Sequence, residues 1–297
     1  MMFDQLGLIG CGLMGGSFAL ALKSAGLVKR VVGYSKSPST VERAKALGVI
    51  DLEASSALLA VSGSDIVLLA VPVAATESTL KAIRHLITPS MLVMDVGSTK
   101  GDVVEVARRV LRDQVGSFVP AHPIAGKESA GIDHADAYLY SGRQVILTPI
   151  ERTLTTHLQK ASAVWTALGA QVLKMSPEAH DATYAAVSHL PHLLAFAYMN
   201  SIASQPKADA LLSLAGPGFR DFTRIAASDP RVWRDILLAN RDEVTRQCTA
   251  FRVALASLEA MMANGQTTEL EAAIAQARDA RSGWQLPGVQ PGLNATS

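Results

Sequence analysis

The sequence predicts two folds in series: a doubly wound, parallel α/β domain over residues 1–175 and an all-α domain over residues 176–284. Three observations carry this. Short β-rich runs alternate with helical stretches as far as Met175. Beyond Pro177 no convincing strand follows, and apolar residues recur at three- and four-residue spacing. A glycine-rich segment, Gly10-Cys-Gly-Leu-Met-Gly15, stands at the first strand–helix junction.

In chain order, Leu6–Ile9, Arg30–Tyr34, Ile66–Ala70, Leu92–Val96, Phe118–Pro120 and Gln144–Leu147 read as buried strands, with Ala170–Leu173 as a short last one. Between them Gly16–Ala25, Ser39–Leu47, Val73–Ile87 and Gly101–Leu111 read as helices. Strict alternation of this kind builds a parallel sheet covered on both faces. Pro177 suits the first turn of a helix. Long helices are then expected over Pro177–Ser201, Ala208–Leu214, Val232–Ala263 and Thr268–Ala280, with Asp229 as a cap ahead of Pro230. The tail, residues 285–297, is rich in Pro, Gly and small polar residues and is expected to be disordered.

Composition excludes several classes of function. The chain has 297 residues, 49% of them hydrophobic and 18% charged, which is too apolar for a disordered chain. Its 27 basic and 26 acidic residues leave a net charge of +1. That balance gives no electrostatic case for nucleic acid or for an anionic membrane surface. Two cysteines, Cys11 and Cys248, exclude a disulfide scaffold and a cysteine-based zinc module. They suit a reducing compartment, and a cytoplasmic protein is expected. The longest uncharged apolar run, Ile66–Ala75, is too short to cross a bilayer.

The glycine segment matches G-x-G-x-x-G between a strand and a helix, the context of a dinucleotide-binding Rossmann-type fold. Gly10 permits a tight turn, Gly12 lets the backbone approach a pyrophosphate, and Gly15 lets the helix pack on the strand. Gly10, Gly12, Leu13, Met14 and Gly15 are therefore the expected cofactor loop. A chain selecting NAD carries an acid about 20 residues on, for the ribose 2′-hydroxyl. This one has Ser35-Lys36-Ser37 at the end of its second strand. Hydroxyls and a cation suit a 2′-phosphate, so Ser35 and Lys36 favour NADP over NAD.

Two further motifs end strands, where open α/β sheets bind their ligands. Asp95-Val-Gly-Ser98-Thr-Lys100 follows one, and His122-Pro-Ile-Ala-Gly-Lys-Glu128 the next. His122 can accept a proton from a substrate hydroxyl as hydride leaves the carbon, and Ser98 can orient that hydroxyl or the imidazole. In the helical half, His189 and His192 stand three apart and can share a helix face. No HExxH and no nearby carboxylate cluster accompanies them, so no metal is expected. Gly216-Pro-Gly-Phe-Arg220-Asp-Phe-Thr-Arg224 reads as a glycine-rich turn followed by two arginines, the residue type suited to a carboxylate.

In this order, G-C-G-L-M-G, D-V-G-S-T-K, H-P-I-A-G-K-E, S-H-L-P-H and G-F-R-D-F-T-R resemble the prephenate/arogenate dehydrogenase family, from about Leu6 to Ala280. The resemblance implies a Rossmann domain followed by a helical dimerisation domain, a homodimer, and a nicotinamide cofactor, NADP or NAD. It implies oxidative decarboxylation of prephenate to 4-hydroxyphenylpyruvate, or of arogenate to tyrosine, in tyrosine biosynthesis. It implies that His122 accepts the proton of the 4-hydroxyl and that Ser98 holds both in place. Glu128 would lie at the rim, His192 would contact substrate, Arg224 would bind a substrate carboxylate, and His189 would support the pocket. Members with His at the position of His192 tend to use prephenate, which the sequence therefore favours over arogenate. Two alternatives stand beside this: another Rossmann-plus-helical dehydrogenase of the β-hydroxyacid or pyrroline-carboxylate type, and a nucleotide-sensing protein without turnover.

Overall fold

A computed structural model describes residues 2–127 and 129–285. Glu128 and the expected tail from residue 286 on lie outside the described residues. The chain divides into two compact units, the first comprising Met1–Asp181 with Arg234–Ala239, the second Ala182–Trp233 with the residues from Asn240 on.

The first unit begins β1 (Phe3–Ile9), α1 (Leu13–Ser24), β2 (Val28–Tyr34), α2 (Pro38–Ala46), β3 (Leu52–Glu53), α3 (Ala57–Val61), β4 (Ile66–Leu69), α4 (Thr76–Ile83), β5 (Leu92–Asp95), α5 (Gly101–Leu111) and β6 (Phe118–Val119). These strands form one sheet in the order β3-β2-β1-β4-β5-β6. Every pairing is parallel; Leu6 stands beside both Val31 and Ile66, and Ile66 beside Leu92. This is the dinucleotide-binding strand order, with a crevice at the carboxyl end between β1 and β4 where the winding reverses. Every residue of β4 and β5 is buried, because helices cover both faces of a parallel sheet.

The sheet stops sooner than the sequence suggests. Pro120 has no N–H to continue the ladder, and the chain leaves β6 there. It enters a second, three-stranded sheet of β7 (Ala121–Pro123), β8 (Gln144–Leu147) and β9 (Gln171–Lys174). In it β7 and β8 run antiparallel, with His122 opposite Ile146, and β8 and β9 run parallel. The run Gln144–Leu147 is therefore a strand, but not of the main sheet. Between β8 and β9 lies α6 (Thr155–Ala167), a helix the alternation did not reveal. Its Trp165 is fully buried against Phe18 of α1 and Tyr140, at ring-centroid distances of 4.9 and 5.1 Å. The Tyr140 hydroxyl donates to the Met14 carbonyl at 2.6 Å, fixing the segment after β7 onto the cofactor-loop helix.

Helices alone follow among the described residues: α7 (Pro177–Tyr184), α8 (Leu190–Ala203), α9 (Ala208–Ser213), α10 (Pro217–Thr223), α11 (Pro230–Ala239), α12 (Arg241–Ala263) and α13 (Thr267–Gly283). The expected helix Pro177–Ser201 is interrupted by a π-helical turn, Ala185–His189. Pro191 explains it: proline cannot donate to the carbonyl four residues back and its ring crowds that carbonyl, so the turn before it widens. The expected helix Val232–Ala263 is likewise broken, at Asn240. The stretch from Gly216, read as a turn, is mostly helix α10, with Pro217 in its first turn. Asp229 caps α11, its carboxylate accepting from the N–H groups of Arg231 and Val232. Helix α12 buries only Val244, while Phe251, Val253, Leu255 and Met262 along it, and Ile274 on α13, are exposed. No helix among the described residues is long and apolar enough to cross a membrane.

Candidate active site

The loop between β1 and α1 needs glycine at two places for different reasons. Gly10 has φ of +100°, and a Cβ there would lie 2.1 Å from the Ala70 carbonyl oxygen. A Cβ on Gly15 would lie 2.1 Å from the Gly10 oxygen and 2.9 Å from Leu8 and Ala70 side-chain carbons. Gly12, the residue before α1, meets nothing within 4 Å of its would-be Cβ. It faces open space, and no side chain caps the helix, so the first N–H groups of α1 are available to an anion. Leu13 and Met14 open that helix. Beyond the end of β2, Ser35 and Lys36 line a cavity of about 500 Å³ with Tyr34, Pro38, Glu42 and Glu53. These features fit a dinucleotide: a glycine cradle for its pyrophosphate and a pocket for its adenosine ribose.

The second feature is a buried network at the end of β5. Lys100 is fully buried and pairs with Asp95, itself 2% exposed. Lys100 Nζ also donates to the Ala121 carbonyl at 2.9 Å, and Asp95 Oδ1 accepts the Ala121 N–H at 3.0 Å. Asp95 Oδ2 accepts the Gly97 N–H at 2.8 Å. The half-buried Ser98 therefore rides on a turn whose two ends, Asp95 and Lys100, both hold the residue preceding His122.

His122 itself is nearly buried, at 9% exposure. Its Nδ1 lies 2.8 Å from Nε2 of the fully buried His180, with the rings edge-to-face at 5.0 Å. His180 Nδ1 lies 2.8 Å from Asp181 Oδ1. Asp181 also accepts the N–H groups of Lys100 at 2.9 Å and Gly101 at 2.8 Å, the open end of α5. Burial pushes the Asp181 carboxyl up, but the bonds from His180, Lys100 and Gly101 outweigh it and hold the group below the usual carboxylate range. Burial pushes His180 below the usual imidazole range, against the pull of Asp181. At neutral pH the pair is a neutral imidazole donating to a carboxylate.

The second unit holds a separate cluster. His189, at the end of the π turn, is buried; Asn240 Nδ2 donates to its Nδ1 at 3.1 Å. His192 is half-buried and stacks on Trp233, with centroids 3.6 Å apart and planes at 19°. His189 meets the same indole edge-on at 6.1 Å, so the two histidines do border one ring. His192 Nδ1 donates to the Ser188 carbonyl at 2.9 Å. Burial lowers the His192 pKa, the Ser188 bond opposes this, and the charge of Arg224 lowers it further. A neutral His192 therefore presents Nε2 as an acceptor. Arg224 begins the short 3₁₀ turn Arg224–Ala227 and is exposed. Arg220 pairs with its neighbour Asp221 at the surface.

Sequence reasoning gave no role to His180, Asp181, Trp233 or Asn240, and saw Asp95 and Lys100 only as part of a string. The adjacent His-Asp pair in a helix was the one available cue for the first two; nothing in spacing links them to His122.

A Rossmann sheet, a glycine cradle at its switch point and an imidazole beyond the end of β6 define a nicotinamide-dependent oxidoreductase. Residues 18–174 match the family description "Prephenate dehydrogenase, nucleotide-binding domain", and residues 176–276 match "Prephenate dehydrogenase, dimerization domain". The chain belongs to the prephenate dehydrogenase family. It is 38% identical over 245 residues to a prephenate dehydrogenase of Bacillus subtilis, a match covering 82% of this chain and 66% of that protein. It is 35% identical over 240 residues to a cyclohexadienyl dehydrogenase of Zymomonas mobilis, covering 80% of this chain and 81% of that one. The crystal structure of Aquifex aeolicus prephenate dehydrogenase, in complex with hydroxyphenyl propionate and NAD+, superposes with a TM-score of 0.88 at 36% identity. That likeness spans 95% of this chain and 98% of the other.

Proposed function

We propose that this protein is a cytoplasmic prephenate dehydrogenase that converts prephenate to 4-hydroxyphenylpyruvate and CO2 with reduction of a nicotinamide dinucleotide. The observation that carries the reading is the ordered imidazole of His122 beside the Ser98 turn, in a fold that also holds the glycine cradle. Oxidised nicotinamide, when bound, supplies the acceptor for the hydride of the carbinol carbon. His122 takes the hydroxyl proton as that hydride leaves; with Nδ1 committed to His180, the base is Nε2. Ser98 orients the hydroxyl. The bond to the ring carboxylate then breaks, its electron pair completes the aromatic ring, CO2 departs, and His122 returns the proton to the phenolic oxygen. Gly10, Gly12, Leu13, Met14 and Gly15 hold the dinucleotide phosphates, and Arg224, His192 and His189 form the substrate-recognising set. A homodimer through the helical unit would cover the apolar residues that α12 and α13 expose.

Arogenate is the second reading, and one observation favours it. An Nε2 acceptor on His192 suits an ammonium donor; prephenate offers a keto oxygen there and needs a donor. Dual use of both substrates reconciles the two. Steady-state kinetics with prephenate and arogenate, each with NAD and NADP, test the assignment. Turnover of prephenate is expected, and turnover of neither substrate would overturn it.

NADP is the proposed cofactor, because Ser35 and Lys36 line the cavity beyond β2 and Glu53 in that cavity is paired with Lys45 at 3.4 Å. Ser35→Asp should shift the NAD/NADP ratio of kcat/KM toward NAD at least about fivefold, since a charge pair at 4 Å is worth about 1 kcal/mol even in water. A wild-type enzyme already far better with NAD would contradict this assignment.

A further inference from the structure

We propose that His180 and Asp181 are positioning residues for His122, forming a relay that fixes which of its ring nitrogens carries the proton. The inference rests on the reading of His122 as the base. Its geometry is sequential. A carboxylate only accepts, so the contact at 2.8 Å between Asp181 and His180 puts the proton on His180 Nδ1. A neutral His180 then has a lone pair on Nε2, so in the next contact, also 2.8 Å, His122 Nδ1 donates. His122 is thereby held as the Nδ1–H tautomer, which places its basic lone pair on Nε2. The relay ends in backbone. The N–H groups of Lys100 and Gly101 at the start of α5 hold both oxygens of Asp181, so the carboxylate stays in place and charged.

The relay also sets the working pH range. When His122 takes the substrate proton it becomes cationic, and its bond to His180, backed by the Asp181 charge, is stronger to that form than to the neutral one. The relay therefore raises the pH at which His122 protonates. The charged and titratable groups acting on His180 are Asp181 on its own helix, Lys100 at the start of α5, Asp95 at the end of β5, and His122 on β7, while Asp102 at the start of α5 acts on Asp181. Asp95 and Lys100 are paired with each other, and the Asp181 anion, bonded directly to His180, answers the new positive charge.

The test uses His180→Leu, which removes the acceptor at similar volume, and Asp181→Asn, which keeps one oxygen for α5 but removes the charge. Both are compared with wild type by prephenate kinetics across pH, by titration of the dinucleotide and by thermal melting. The expected result is a fall in kcat of about 10–100-fold with KM changed little and dinucleotide affinity unchanged. The acidic limb of kcat should move to lower pH by about 0.5–1 unit. A merely structural role would lower the melting temperature without moving that limb. His180→Gln, whose amide oxygen can accept from His122, should recover part of kcat. Nitrogen-15 NMR of the imidazoles in wild type gives a readout without turnover: His122 should be protonated on Nδ1, and that preference should vanish in His180→Leu. Wild-type kcat and pH limb in a folded His180→Leu enzyme, or a His122 tautomer unaffected by it, would overturn the relay. An enzyme inactive on both substrates but with the NMR signature intact would overturn the substrate reading and leave the relay standing.

Discussion

His122→Asn is expected to lower kcat by about 10²–10⁴-fold, the usual worth of a positioned general base. Asparagine keeps a polar group that can reach His180 but cannot accept and hold a proton. Dinucleotide affinity should be unchanged, since the glycine cradle lies on β1 and α1 and His122 on β7. KM for prephenate should rise little, because the base acts on a proton in flight and not on the bound ground state. Rapid-mix and steady-state kinetics with a dinucleotide titration check all three. Near-normal kcat would remove His122 from the chemistry.

Lys100→Met should strongly destabilise the first unit. The ammonium is fully buried, and its removal leaves the Asp95 carboxylate uncompensated beneath the sheet end. Breaking a buried pair from one side costs about 3–5 kcal/mol. For a domain of this size that is a fall in melting temperature of about 6–20 °C. Adding Asp95→Asn removes the stranded charge while keeping an oxygen for Ala121, so the double variant should melt above the single one. A double variant that melts lower than Lys100→Met would show that the pair's charges are not what matters. kcat should fall in the single variant as well, since Lys100 holds the residue next to His122.

What the sequence made legible was local. The glycine loop declares itself because each of its constraints lies within a few residues: a positive φ at Gly10, and a strand and helix in contact at Gly15. His122 could be located because chain order alone puts it just past the end of β6, although it lies within β7 of the second sheet. The break at Pro120 was also written in the sequence, yet Gln144–Leu147 carries the same buried apolar pattern whichever sheet it joins, so periodicity could not assign it. Asp95 and Lys100 looked like ordinary polar loop residues, since nothing in one dimension says that five positions later the chain returns a cation to the same carboxylate. His180 is 58 residues from His122, and its segment shows helical spacing that fits a plain amphipathic helix. The His192 acceptor was hidden for a different reason. Which imidazole nitrogen carries the proton depends on Ser188, and a sequence does not record tautomers.

The π-helical turn ahead of Pro191 has a meaning for how this chain can vary. A wide turn holds one residue more than an α-helical turn, so α8 is out of phase with α7 by about 100°, the rotation per residue of a helix. His192 reaches the face of Trp233 only in that shifted phase. The proline and the surplus residue are thus a matched pair, as though one position had been inserted and then locked. Losing one residue from Ala185–Ser188 would restore a regular helix on paper and carry every side chain beyond it a third of a turn round the axis. Length between Tyr184 and Pro191 is constrained here more tightly than identity: Val187 is exposed and free to change, but it is not free to disappear.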